Sequence, residues 1–383
     1  MPSRLPTDLD RLVLASAEVA DACAIGAGAI DRDGAFPVEE FDRLHRAGLL
    51  AAPLRVDRGG AGLGHGPAGT RAMLGVLHHL GRGNLSVGRL YEGHVDALLL
   101  IQEAGEPGQV EALAADALAG RIFGVWNTEA ADGVRFEPIG GGRYRLAGSK
   151  TFASGAGHVA RPIVTGALPG GGRQMAVVPM DRVEARVDPS SWKPLGMRAS
   201  ASFRVDFAGV EVGADAMLGR PGAYLREPGF SGGSIRFAAV QLGGAEALFM
   251  ATRDALRSFG RADDPYQRAR LGRMAVAVES GRLWLRGAAE VAGRGDAGDD
   301  VDSEAIVTHA HMTRTAIEAI GLEILQLAEQ SVGARGLLRP HPIERIVRDL
   351  TLYLRQPGLD AALAHVGRFV LDGEDLDRIW SRA

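Results

Sequence analysis

The sequence of 383 residues contains a single cysteine, Cys23. That excludes an intrachain disulfide framework and fits a reducing compartment, so a cytoplasmic location is expected. Lysine is almost missing: Lys150 and Lys193 are the only two, and arginine carries nearly all the positive charge. With 43 basic against 47 acidic residues the formal net charge is −4, which gives no basic face for nucleic acid. Long hydrophobic runs are also lacking. The apolar stretch 97–101 lies between Asp96 and Glu103, and residues 1–18 carry charges throughout, without a secretory core. Neither membrane insertion nor a signal peptide is expected.

What remains is the composition of an ordinary enzyme, 46% hydrophobic and 23% charged, long enough for two or three packed units. The period from Leu5 to about residue 119 is helical: Leu12, Ala15, Val19 and Ala22 form one apolar stripe, and Pro37 opens a second segment carrying Phe41, Leu44, Leu49 and Leu50. The glycine cluster 59–64 reads as a turn, because it lacks the preceding strand and the spacing of a dinucleotide fingerprint. Two helices follow through Ile101, with 81–84 between them. Short alternating segments begin at Phe123 and continue through 144–146, 163–165, 175–179 and 203–207, the pattern of an antiparallel, barrel-like domain ending near Pro221. Helical periodicity then returns from Ile235, again over 265–291 and 303–330, with a charged connection at 292–301 and a helical tail from His341. The expected fold is α+β: an N-terminal helical domain (1–120), a middle antiparallel β-barrel domain (121–222) and a C-terminal four-helix bundle (223–383).

Several segments resemble the acyl-CoA dehydrogenase family over nearly the whole chain. Trp126-Asn127-Thr128-Glu129 and Pro194-Leu195-Gly196-Met197-Arg198-Ala199-Ser200 are similar to its two flavin-embracing loops. The resemblance implies FAD, or alternatively FMN or reduced flavin from a reductase, with Thr128, Trp192 and Ser200 at the isoalloxazine. Trp126 either covers a ring edge or fills the sheet core. Arg257 and Gln267 resemble the family's pattern at the cofactor and subunit boundary, and Gln330, Gly333, Arg335 and Gly336 its loop that touches the flavin of a neighbouring subunit, which together imply a homodimer or homotetramer. Leu256 stands at one of two customary arginine positions, and Ala130-Ala131-Asp132-Gly133 replaces the stretch that receives an acyl thioester.

The resemblance also implies where a proton-abstracting carboxylate should stand. Pro357 occupies that position, and Ile235, beside Arg236, occupies the family's alternate one. Neither side chain titrates, so standard α,β-dehydrogenation lacks its base. Glu129, Asp360, His94 and Arg355 are the remaining catalytic candidates. Arg345, Arg348 and Asp349 resemble the Arg-Asp entry to the last active-site segment, where an ion pair that positions helices suffices to explain them. No metal site is expected, since His309 and His311 point to nearly opposite helix faces. The expected function is a flavin-dependent oxidoreductase acting on a small organic or acyl substrate, with electron-transfer flavoprotein or a flavin reductase as partner. The alternatives are a reduced-flavin-dependent monooxygenase and a noncatalytic flavoprotein subunit.

Overall fold

The computed structural model describes residues 7–296 and 303–373. The first helix, α1 (Asp8–Asp33), opens with a reciprocal cap: the Thr7 hydroxyl accepts from the Asp10 amide while the Asp10 carboxylate accepts from the Thr7 amide. It stops at Gly34, whose φ of 63° suits a residue without Cβ. By length and composition α1 could span a membrane. Here its buried stripe of Val19, Ala20, Cys23 and Ala27 belongs to a helical core, and the Ala20 carbonyl lies so close to Gly83 that a Cβ there would stand 2.3 Å away. Next come α2 (Val38–Arg46), α3 (Gly66–Gly83), α4 (Leu85–Ala104) and α5 (Pro107–Leu118). The expected break at 81–84 narrows to one residue. Helix α3 runs through Gly83, and Asn84 caps α4 by accepting from the amides of Ser86 and Val87 at 2.9 and 3.3 Å.

The β region contains β1 (Phe123–Trp126), β2 (Arg135–Gly140), β3 (Arg143–Ala147), β4 (Ser149–Ala153), β5 (Arg161–Ala167), β6 (Arg173–Val177), β7 (Arg186–Asp188), β8 (Phe203–Asp206), β9 (Glu211–Val212) and β10 (Met217–Leu218). The expected antiparallel barrel does not form. Seven strands make a mixed sheet in the order β10-β6-β5-β2-β3-β9, with β1 also on β5, and three make a separate sheet in the order β4-β8-β7; neither closes. Strand β5 is the reason for the mixed character. It pairs antiparallel with β6, and in parallel with β1 (Phe123 opposite Arg161) and with the start of β2 (Arg135 opposite Ala167). Alternation along a strand reports which residues face inward. It says nothing about which edges pair or whether the last strand returns to the first.

The chain continues through α6 (Gly229–Gly232), α7 (Ser234–Ser258), α8 (Pro265–Asp296), α9 (Ser303–Val332), α10 (Pro342–Tyr353) and α11 (Leu359–Asp372). Helix α8 takes in the first half of the connection expected at 292–301, and residues 297–301 lie outside the described ones. The two helical regions share one core. Leu77, Leu80 and Val87 from α3 and α4 cluster with Val240, Leu242, Ile324 and Leu350 from α7, α9 and α10. Gly81 and Gly243 permit this approach, since a Cβ at either would meet backbone oxygen of the opposing helix at 2.2 and 2.1 Å. The sheets have their own core around Trp126, Phe136, Val205 and Phe207. A third cluster seats α4 and α5 on the large sheet through Leu98, Ile101, Leu113, Phe123, Ile163 and Met175.

Candidate functional site

The loop after β1 is fixed from below by charge. Lys150, fully buried on β4, donates to the Asn127 carbonyl at 3.0 Å, to Glu129 Oε1 at 2.8 Å and to Thr165 Oγ1 at 3.0 Å. Arg173 on β6 reaches the same Glu129 oxygen at 2.6 Å and Thr165 Oγ1 at 2.8 Å. Glu129 Oε2 accepts from the Val134 amide at 3.0 Å. Burial pulls the Lys150 ammonium down to about 8, with Glu129 working in the opposite direction. Glu129 therefore serves as an anchor for its loop. Thr128 stands exposed above it, its carbonyl bound by the Thr151 amide at 3.1 Å. Trp126 sits in the sheet core and donates from Nε1 to the Ser154 carbonyl at 3.0 Å.

The second loop meets the turn after β4 through serines. The Ser202 hydroxyl lies 3.0 Å from that of Ser154 and 2.8 Å from that of Ser200, while the amides of Gly155 and Ala156 donate to the carbonyls of Ser200 and Ala201. Phe152, Met197 and Ala201 all have positive φ, at 51°, 56° and 44°. Such left-handed side-chain residues persist only where surrounding contacts over-determine them; Phe152 lies near the end of β4, while Met197 and Ala201 flank the turn at 198–200. Phe152, 57% exposed, packs edge-on to Trp192 with ring centres 5.8 Å apart, and Trp192 Nε1 donates to the Arg198 carbonyl at 3.2 Å. Phe152 is exposed and Trp192 half-buried, whereas the Ser200 and Ser202 hydroxyls are buried and bond each other.

The C-terminal helices clamp the second loop in place. Asp349 Oδ1 accepts from the Met197 amide at 2.6 Å, and Arg345 holds the other carboxylate oxygen at 3.3 Å. Arg348 bridges Asp31 and Glu344, each at 2.6 Å, and donates to the Leu195 carbonyl at 3.0 Å. These residues position the loop; burial raises the Asp349 carboxyl, against Arg345 and the Met197 amide.

The other catalytic candidates do not converge. His94 is wholly buried, with Nε2 on the Leu50 carbonyl at 2.8 Å and Nδ1 accepting the Phe123 amide at 3.0 Å, and burial pushes it down to about 4. It clips α4 to β1 as a neutral ring. Arg355 is exposed and paired with Glu318 at 2.7 Å, and Asp360 is exposed in the first turn of α11. The Pro357 carbonyl accepts from Arg314 at 3.0 Å. Arg257, Gln330, Gly333 and Arg335 are exposed where α7 and α9 end, and Gly336 is buried against Val332. Gln267 is buried nearby; its amide, turned to suit its neighbours, donates to Ser331 Oγ at 3.1 Å and accepts from Arg261 at 2.7 Å. Among the described residues no hydrogen bond or ion pair joins this end of the bundle to the Thr128 and Ser200 loops.

Sequence reasoning missed a charged wall on α4. Asp96 forms a short ion pair with Arg236 of α7, and Glu92, one turn earlier, forms another with Arg89. Asp96 and Arg236 line a cavity of about 430 Å³ together with Met73, Leu99 and Ile235. Burial, reinforced by Glu92 and opposed by Arg236, pushes the Asp96 carboxyl up to about 8. Two acids spaced i,i+4 in a helix buried on nearly all sides were the available signal; Asp96 was instead read as the polar flank of an apolar run.

Residues 14–121 match the family model described as acyl-CoA dehydrogenase, N-terminal domain, and residues 235–354 match that of its C-terminal domain. The chain belongs to the acyl-CoA dehydrogenase superfamily. As a member it is a flavin-dependent oxidoreductase, and it is a divergent one with no carboxylate at either base position. Dibenzothiophene monooxygenase of Mycolicibacterium goodii is 26% identical over 377 residues, 89% of each chain. Short-chain specific acyl-CoA dehydrogenase of Clostridium acetobutylicum is 25% identical over 342 residues, 84% of this chain and 86% of that one. The dibenzothiophene monooxygenase of Paenibacillus sp. A11-2, solved with FMN and indole, has the same fold, with a TM-score of 0.85 at 23% identity over 94% of this chain and 97% of that one.

Proposed function

We propose that this superfamily member is a reduced-flavin-dependent monooxygenase of a small organic substrate, cytoplasmic, supplied by a separate flavin reductase. The observation that carries the reading is the missing base. Pro357 and Ile235 cannot take a proton, Glu129 is held by Lys150 and Arg173, and Asp349 is held by Met197 and Arg345. Dehydrogenation beside a carbonyl needs such a base, worth about 10²–10⁴ in rate, whereas oxygen transfer from reduced flavin does not. The monooxygenases among its relatives support the same choice.

In this reading Thr128, Trp192 and Ser200 hold the ring, with Trp126 fixing the loop beneath it, and FMN is favoured over FAD because Leu256 removes one cation from the second phosphate's side. Arg257, Gln267, Gln330, Gly333, Arg335 and Gly336 come from a neighbouring subunit of a homodimer or homotetramer. Bound reduced flavin supplies two electrons, so that one atom of dioxygen enters the substrate and the other leaves as water. The chain's own part is to keep the two loops rigid through Lys150 and Asp349 and to exclude water with the Phe152–Trp192 pair. Titration with FMN and FAD, followed by mixing the reduced complex with oxygen, tests the proposal. The expected result is tighter FMN binding and a transient absorption distinct from oxidised and reduced flavin; no flavin binding, or reoxidation at the rate of free flavin, would sink it.

A further inference from the structure

The cavity beside α4 lies apart from the loops at Thr128 and Ser200. Among the described residues its walls come from α3, α4, α7, α8 and α9 and from the turns at 55–65 and 228–233, and none comes from the sheets or from those loops. Helix α4 measures the separation. Its first turns meet the Ser200 loop and the turn after β4: Ser86 Oγ lies 4.0 Å from Met197 Sδ, and a Cβ on Gly155 would stand 3.1 Å from Leu90 Cδ2. The cavity starts at Asp96 and follows Leu99, Leu100 and Glu103. From Leu90 to Leu99 the helix advances by about 13 Å. In between stand the Arg89–Glu92 and Asp96–Arg236 ion pairs, with the buried Tyr353 of α10 beside them. Of these five residues only Asp96 and Arg236 reach the cavity.

The described lining offers no unmatched arginine or carboxylate. Arg55 and Glu103 stand exposed at the mouth, and Arg236 and Asp96 are spent on each other at depth. An ionic ligand would have to break the inner pair or lie buried without a partner, and either is costly. The rest of the surface suits a hydrocarbon body: Met73, Leu99 and Ile306 supply apolar side chains, and Gly229 and Gly232 supply bare backbone. About 430 Å³ lies in the range of small-molecule pockets.

We propose that this cavity is a second small-molecule site, for an uncharged and mostly apolar ring system, divided from the flavin loops by the ionic partition of Arg89, Glu92, Asp96 and Arg236. The site itself stands on the cavity; only its separation from a flavin rests on the monooxygenase reading. A ligand held beyond the partition does not touch the isoalloxazine. It therefore binds with or without flavin and leaves the flavin absorption unchanged.

Equilibrium dialysis against indole, indole-3-acetate and tryptamine, with and without FMN, tests the assignment. A pH near 9 sets the experiment above the Asp96 transition at about 8, so that the four lining charges cancel. Indole should bind in both states of the protein, and at least ~10-fold more tightly than either charged probe. Gly232→Leu should remove one indole site per chain and retain flavin affinity. A Cβ there meets only Ile306 Cγ2, at 3.8 Å, so the leucine grows into the cavity. Ile306→Trp obstructs the same space from α9 and replaces the first variant if that one does not fold. In the FMN-loaded protein, filling this site should leave the flavin bands in place. No indole binding, a charged probe bound as tightly as indole, an unchanged number of indole sites in a folded variant, or a flavin band shift that vanishes together with the cavity site would overturn the assignment. Failure of FMN to bind while the indole site persists would remove the monooxygenase reading alone.

Discussion

The Met197 amide donates to Asp349 Oδ1 at 2.6 Å, joining residues 152 apart in the chain. Through this bond the last helices determine the shape of a loop that belongs to the sheet domain. Gly196 makes the approach feasible, since a Cβ there would lie 2.2 Å from the Arg348 carbonyl oxygen. Asp349→Ala should leave Arg345 without its buried partner and lower stability by about 3–5 kcal/mol. Asp349→Asn, which keeps an acceptor, should cost less. Urea unfolding of both variants with and without FMN provides the check; flavin affinity unchanged in Asp349→Ala would refute the link between clamp and loop.

Lys150 should matter to the flavin in the same indirect way. Lys150→Met removes the donor to Asn127, Glu129 and Thr165 and leaves Glu129 to Arg173 and the Val134 amide. A loss of about 2–3 kcal/mol in stability is expected, with weaker FMN binding. Isothermal titration of the folded variant at low temperature would expose the idea as wrong if affinity matched the parent protein.

The helical periods were legible because amphipathic spacing is local: Val19 of the expected stripe is buried, although the buried face of α1 runs through Ala20 and Cys23 rather than Ala15 and Ala22. The two segments proposed to hold the flavin stood out as motifs. Barrel closure was not legible, because β5 selects its three neighbours through contacts far apart in sequence. Nor could spacing show that Glu129 would meet Lys150 and Arg173, or that Asp96 would meet Arg236 across two regions. Ion pairs of this kind are tertiary facts, and they decide which acids are available for chemistry.

His94 provides a contrast between a buried histidine and a catalytic one. His94→Ala should lower stability by about 2–4 kcal/mol, since it orphans the Leu50 carbonyl and the Phe123 amide. With its transition displaced to about 4, the activity–pH profile between 5 and 8 should contain no His94 limb. A folded His94→Gln variant that shifts such a limb would restore it as a proton carrier.

Acid stability should report the helical core. Burial alone would raise the Glu246 carboxyl, but His78 at 2.9 Å and Arg282 at 2.7 Å hold it down at about 2. A depressed carboxylate stabilises the fold above its unfolded value near 4.5 and loses that contribution as pH falls towards 2. The lost amount is about 3 kcal/mol by linkage. Thermal unfolding across that window should show a smaller drop in Glu246→Gln than in the parent protein; equal slopes would contradict the assignment.

The proposed sharing of the cofactor site between subunits predicts an oligomer. Arg335→Glu should weaken flavin binding about tenfold or more, by placing a like charge near phosphate. It should leave the subunit's own fold intact because Arg335 is exposed. Light scattering across protein concentrations, combined with flavin titration, checks both parts. A persistent monomer that binds flavin stoichiometrically would refute the shared site.

Anaerobic mixing of the oxidised flavin-loaded protein with a panel of straight-chain acyl-CoA thioesters tests the central claim most directly. With Pro357 and Ile235 at the base positions, the flavin should remain oxidised and no enoyl-CoA should appear. Rapid bleaching accompanied by enoyl-CoA would contradict the account and require a proton acceptor that the structure holds elsewhere.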